Sequence, residues 1–328
     1  MSISFEFEVV LDHIDLRTGL PYARLISAQG VYANEVGRAF KIDPDCIVTM
    51  AGATGAIEAV RNHIFKTVLK RNPVVLTVTP GYWRMRETLV GFGFQVSEVH
   101  TERHNFTIYE QEIIEQVKKV RPDVIYLSLP NNPTGAIFDP EIIVSQIPQD
   151  IPIIFDLTLP RVDTEVGELY QKLHSRFEGK ENLFLVGSTS KSHSTAEYRI
   201  GWVICASRQT AQTLVKENRN SISLTAIKEG IRQLNKPATA TGKIARSFAL
   251  LRNGEGMCYQ IVRPARMVET CYVLINLNIN PIQLKESFQR HRLQVMWGAE
   301  FGLTDEYIRV EMLAPENIEP FVQLVNNC

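Results

Sequence analysis

No apolar run in this chain of 328 residues approaches the roughly 20 residues that a membrane-spanning helix needs. The opening Met1-Ser2-Ile3-Ser4-Phe5-Glu6 lacks the basic-then-apolar pattern of a secretory leader. Cysteine is sparse: Cys46, Cys205, Cys258, Cys271 and Cys328 are scattered, odd in number and without metal-type spacing. They read as thiols in a reducing compartment, and the seven histidines form no ligand constellation, so metal binding is not expected. An excess of one charge is missing too, with 35 basic against 36 acidic side chains and a formal net charge of −1. That balance excludes the electrostatic footprint of a nucleic-acid or membrane-surface partner. The expectation is a cytoplasmic enzyme. No internal repeat or low-complexity tract interrupts the chain.

What is present is a regular alternation. Strand-like runs at 46–50, 74–79, 94–99, 124–129, 152–156, 183–187 and 201–206 alternate with helical patterns such as 56–70, 111–120 and 140–147. Such alternation implies crossover helices over a buried, mostly parallel sheet. Helical stretches at 209–218, 225–234 and 239–251 follow. Short strands at 272–277, 293–296 and 307–312 then mix with helices at 281–290 and 315–325. The reading is an α/β fold with a large domain over 30–250, and a smaller α+β domain from 1–29 plus 251–328.

Four segments carry chemistry. Gly52-Ala53-Thr54-Gly55-Ala56 follows a strand and opens a helix. It is either a bare tight turn or a phosphate seat, where backbone N–H groups meet the positive end of the helix dipole. Asn131-Asn132-Pro133-Thr134-Gly135 follows the run Val124–Leu129 and is turn-forming. Asp156 closes Ile151-Pro152-Ile153-Ile154-Phe155, as a cap or as the partner of a cation. Ser188-Thr189-Ser190-Lys191 follows Leu183-Phe184-Leu185-Val186, with Arg199-Ile200-Gly201 eight positions beyond the lysine. An amine among hydroxyls can form a Schiff base with an aldehyde, and Ser188 with Arg199 can hold a phosphate.

In this order the four segments resemble the fold-type I pyridoxal 5′-phosphate enzymes, specifically the class I/II aminotransferase family, from Ile14-Asp15-Leu16 to the last helix. The resemblance implies that Lys191 forms the Schiff base and shuttles a proton, and that Asp156 pairs with the pyridine nitrogen. It implies that Asn132 bonds the ring hydroxyl, and that Thr54, the Ala53 backbone, Ser188 and Arg199 take the phosphate. Tyr82, in Thr79-Pro80-Gly81-Tyr82, would stack on the ring. Arg309, in Tyr307-Ile308-Arg309-Val310, would grip the substrate carboxylate with the bidentate fork that a lysine lacks. The cationic phosphate clamp is expected to help Lys191 lose its proton.

One position departs from the family. Where Asp-x-x-Tyr is usual, this chain has Asp156-Leu157-Thr158-Leu159. The resemblance implies an aminotransferase acting on an α-amino acid and a 2-oxo acid; Leu159 removes a donor to the ring oxygen and raises the alternative of a lyase, cyclase or decarboxylase. The resemblance also implies a homodimer with active sites at the interface. The arm before Ile14 is short, and Arg17, Tyr22, Arg24 and Tyr32 are candidates to meet the distal end of an amino acid substrate. His193, Trp83 and Trp202 read as structural.

Overall fold

The computed structural model describes residues 19–67, 72–163, 166–177, 180–218 and 222–327. The segment Ile14–Leu16, Arg17 and Cys328 lie outside them, as do the side chains of Tyr22 and Arg24.

The seven expected strands form one sheet. They are β1 Ile47–Met50, β2 Val74–Thr79, β3 Gln95–His100, β4 Val124–Ser128, β5 Ile153–Asp156, β6 Leu183–Ser188 and β7 Gly201–Cys205. Their order across the sheet is β1-β7-β6-β5-β4-β2-β3. All neighbours are parallel except those of β7, which runs antiparallel to both β6 and β1. Strands β4, β5, β6 and β7 are buried at every residue, which is why they read as unbroken apolar runs rather than alternating ones.

The alternation of side chains along each strand divides this core into two layers. On one face Ile125, Leu127, Ile153, Phe155, Leu185 and Trp202 pack with the helices Gly19–Phe40, Glu110–Val120, Pro140–Gln146, Val166–Arg176 and Leu224–Leu234. On the other, Val124, Tyr126, Ile154, Phe184, Val186 and Val203 meet the helices Gly52–Thr67, Trp83–Gly91 and Arg208–Glu217. Helix starts follow local chemistry: the side chains of Ser207 and Ser223 accept from the N–H groups of Thr210 and Ala226.

The second sheet comprises β8 Tyr259–Ile261, β9 Tyr272–Leu277, β10 Met296–Trp297 and β11 Tyr307–Glu311, all antiparallel in the order β10-β11-β9-β8. Its core also takes in the helices Ala240–Gly254, Pro281–Arg290 and Ile318–Asn326. Helix Ala240–Gly254 packs with this sheet, whereas Ala28 packs in the core of the large one. We propose a division into a large and a small unit on these lines, with the helix Ala240–Gly254 packed in the small one.

Tyr32 is not a pocket residue. It is fully buried beneath the large sheet, with its ring 6.5 Å from that of Trp202. Ala28, Tyr32, Val36 and Phe40 recur at the spacing of one helical face, and that face is pressed on the core.

Candidate active site

Open parallel sheets bind ligands beyond the carboxyl ends of their strands, and here β4, β5 and β6 deliver three side chains to one cleft. It has about 450 Å³ of open space, lined by Ala53, Thr54, Tyr82, Ser128, Asn132, Asp156, Thr158, Leu159, Lys191 and Tyr272. A larger cavity of about 700 Å³ opens between β2, β3 and Ala299–Gly302, and it shares only Tyr82 with the first. The smaller cleft gathers Lys191, Asp156 and Asn132.

Asp156 ends β5 almost fully buried, and each of its oxygens has a donor. Tyr126 Oη donates to Oδ2 at 2.6 Å, and the Thr158 backbone N–H to Oδ1 at 3.0 Å. Tyr126 reaches it because residues two apart on a strand share a face, and β4 and β5 run side by side with Ser128 opposite Asp156. Burial, reinforced by the Asp156 charge, pushes the Tyr126 phenol well above its ordinary pKa, so it stays a donor. Thr158 Oγ1 is buried without a hydrogen-bond partner.

Asn132 sits in a turn tied down by its neighbour. Asn131 donates to the Pro80 carbonyl and to Thr134 Oγ1, both at 2.9 Å. Gly135 closes the turn at φ +69°, where a Cβ would stand 2.5 Å from the Val268 carbonyl oxygen. Only glycine lets the two backbones meet there. Asn132 Oδ1 accepts from Arg309 Nη1 at 3.4 Å, so β11 reaches across to the large sheet. The Arg309 guanidinium carbon lies 4.1 Å from the centroid of the Tyr272 ring.

The turn at Gly52 brings a guanidinium to the start of a helix. Its φ is +72°, and a Cβ there would stand 2.8 Å from Arg199 Nη2, so the missing side chain is what admits the guanidinium. The helix Gly52–Thr67 begins here, and Ala53 and Thr54 lie in its first turn. Gly201 has a similar part: a Cβ would meet the Gly52 carbonyl carbon at 2.7 Å and the Ala53 nitrogen at 3.0 Å. Ser188 is buried, and its oxygen caps the short helix Thr189–Ser192 that carries Lys191. Neither Ser188 nor Arg199 lines the cleft itself. Tyr82 interacts with Thr54, and burial with the Asp156 charge raises its pKa.

Lys191 differs from expectation. Its amine donates to Glu311 Oε1 at 3.0 Å and lies 4.9 Å from the centroid of the Tyr272 ring. Burial alone would lower its pKa; Tyr272 and the Glu311 carboxylate outweigh burial and hold it above the lysine range. The clamp cation Arg199 sits over Gly52 instead. The ammonium form is therefore favoured, because the nearest charge is negative.

Tyr272, Glu311, Tyr126 and Ser128 escaped the sequence reading. Tyr126 was legible in principle, two positions before Ser128 in a buried run that ends at the turn. Tyr272 and Glu311 carried no local signal. Leu159 fills its position as a core residue, 8% exposed and packed with the small sheet. His193 bonds its Ser192 neighbour and the Lys236 carbonyl, as a structural residue would. Trp202 is buried.

The residues fit a pyridoxal phosphate group: an anion seat that a Cβ would fill, an amine, a buried carboxylate and an unpartnered hydroxyl share one locality. Comparison with known proteins agrees. The family model for aminotransferase class I and II matches residues 27–249. Histidinol-phosphate aminotransferase 1 of Bacillus cereus is 21% identical over 274 residues, covering 82% of this chain and 72% of that protein. The L-threonine-O-3-phosphate decarboxylase of Porphyromonas gingivalis superposes with a TM-score of 0.71 at 16% identity, over 91% of this chain and 88% of that one. The histidinol-phosphate aminotransferase of Sinorhizobium meliloti, solved with pyridoxal 5′-phosphate, gives 0.70 at 16%, over 90% and 82%. This chain belongs to the class I and II aminotransferase family and is a pyridoxal-phosphate-dependent enzyme.

Proposed function

We propose that this protein is an aminotransferase that moves an amino group from an α-amino acid to a 2-oxo acid. The observation that carries this reading is the convergence of Lys191, Asp156 and Asn132 on one cleft, with Arg309 in contact with Asn132. When bound, pyridoxal phosphate supplies an electron sink for the substrate α-carbon. Lys191 attaches the cofactor and moves a proton at that carbon. Asp156, oriented by Tyr126 and the Thr158 N–H, would face the ring nitrogen. Asn132 would donate to the ring hydroxyl and Tyr82 would stack on the ring. The Ala53 N–H, Thr54, Ser188 and Arg199 take the phosphate at the helix start. Arg309 takes the substrate carboxylate with its guanidinium fork.

Leu159 and the Lys191–Glu311 ion pair favour a second reading, a lyase, cyclase or decarboxylase on the same cofactor, in which the lysine mainly gives a proton. A neighbour of similar fold is a decarboxylase. We further propose a cytoplasmic homodimer with active sites at the interface, which a sizing measurement tests. Among the described residues no helix is long and apolar enough to cross a membrane. The deciding experiment loads the protein with cofactor and adds a panel of amino acids without a 2-oxo acid. Conversion to the pyridoxamine form supports transamination. Release of carbon dioxide, ammonia or a cyclic product without that conversion replaces the first reading by the second.

A further inference from the structure

The small sheet approaches Lys191 with two side chains, not one. Tyr272 and Glu311 are directly opposite each other in the register of β9 and β11, so their side chains stand on one face as cross-strand neighbours. Arg309, two residues before Glu311, shares that face and stacks on the same tyrosine ring. Lys191 enters from the large unit and closes the set. Its amine touches the carboxylate at 3.0 Å and overlies the ring at 4.9 Å, with side chains 23% exposed for the lysine and 51% for the glutamate.

We propose that Glu311 and Tyr272 are positioning residues that hold the Lys191 amine in its proton-bearing form against the small sheet. This rests on the reading of Lys191 as the reactive amine. An amine attacks a carbonyl only through a free lone pair, so Lys191 must part from Glu311 and lose a proton before it can attach a cofactor. When a substrate displaces the lysine, the same carboxylate stands ready to keep it charged. Glu311 thereby tilts Lys191 toward giving a proton rather than taking one.

Among the described residues, the surrounding charges do not offer the amine another carboxylate partner. On the small unit, Cys271 is a buried thiol whose pKa is raised by burial, and Arg309 is a cation turned to Asn132 and Tyr272. On the large unit, Asp156 is taken up by Tyr126 and Thr158, and Tyr82 lies across the same cleft. His193 turns to the Lys236 carbonyl, and Lys243 reaches Ser194 at 3.4 Å. Glu311 is the carboxylate in contact with the amine.

The test uses the full chain without cofactor. Each lysine is labelled with a trace of acylating reagent across a pH series, and Lys191 is followed by mass spectrometry, with the other lysines as internal standards. In Glu311→Gln the Lys191 profile should move about one pH unit down, so that labelling at a fixed pH below the midpoint rises about tenfold. Glu311→Asp, which keeps the charge, should stay within about threefold of wild type. Tyr272→Phe, which keeps the ring and loses the hydroxyl, should fall between the two. An unmoved profile in Glu311→Gln, or an equal movement of every lysine, overturns the proposal. Because labelling needs neither cofactor nor substrate, it reads the lysine even if the proposed activity fails.

Discussion

Replacing Gly187 by alanine tests how the strand beneath Lys191 is held. A Cβ at this position would stand 1.8 Å from Tyr170 Oη and 2.7 Å from Trp202 Nε1. Neither ring can withdraw, since each is 1% exposed. Phe40 stacks on Tyr170 at 4.9 Å and meets Trp202 edge-on at 5.4 Å. Overpacking of this kind costs about 1–3 kcal/mol. The single Tyr170 O–H, shared between the Val186 and Leu157 carbonyls at 3.0 and 3.3 Å, would also leave them, a loss of about 1 kcal/mol. The expected loss is about 2–4 kcal/mol, a large part of a typical stability of roughly 5–15 kcal/mol. Urea unfolding followed by tryptophan fluorescence should show a midpoint lower by about 1 M. The cycle with Tyr170→Phe gives the sharper reading. Removing the hydroxyl removes the shortest contact, so the alanine should cost about 1–2 kcal/mol less in that background. An unchanged midpoint for the single variant, or strict additivity in the cycle, refutes the assignment of the clash.

Three further outcomes are expected. Arg309→Ala should raise the KM for the amino acid by roughly 100-fold, from the loss of a charge-assisted bidentate contact worth about 2–3 kcal/mol, while cofactor affinity changes little; equal losses of both would assign Arg309 elsewhere. Lys191→Ala should keep its melting temperature yet lose the absorbance that borohydride abolishes in the loaded wild type, and turnover by this variant would remove the lysine from the mechanism. Glu110 holds Arg266 through two oxygens at 2.8 Å and accepts the Asp139 N–H at 2.6 Å. Burial pushes the Glu110 pKa up, but these partners outweigh it and leave the pKa below the usual carboxylate range. Its contribution is therefore present above the unfolded-state pKa of about 4.3 and lost as the pH falls through the lower folded value. Glu110→Gln should destabilise by about 1–2 kcal/mol at neutral pH, and its difference from wild type in thermal melts should vanish on acidification; a difference constant with pH would count against the ion pair.

The large sheet was legible because its strands are buried on both faces, so each announces itself as a local apolar run. The resemblance singled out Lys191, Asp156 and Asn132, and the ends of those runs put them at the edge where such sheets bind ligands. The helix Gly19–Phe40 was missed, although Ala28, Tyr32, Val36 and Phe40 mark its buried face; its aromatic was assigned to the pocket instead of the core. Glu311 is a different case. It lies 120 residues from Lys191, and its approach depends on the register of a sheet in another unit. No window of sequence contains that contact. Leu159 was noticed as a missing hydroxyl, but only the structure shows it as part of the packing against the small sheet.

The reversed direction of β7 has its own consequence. Ser188, the last residue of β6, is paired with Gly201, the first of β7, so the chain that leaves with Lys191 returns with Arg199 to the same rim. Amine and guanidinium thus ride on a single short bight whose two feet are stitched together. What the amine faces on the small sheet, Glu311 and Tyr272, is set by the pairing of β9 and β11, whereas its spacing to Arg199 is set by the pairing of β6 with β7. Substitutions in β9 or β11 would therefore alter the surroundings of the amine and leave the β6–β7 pairing in place.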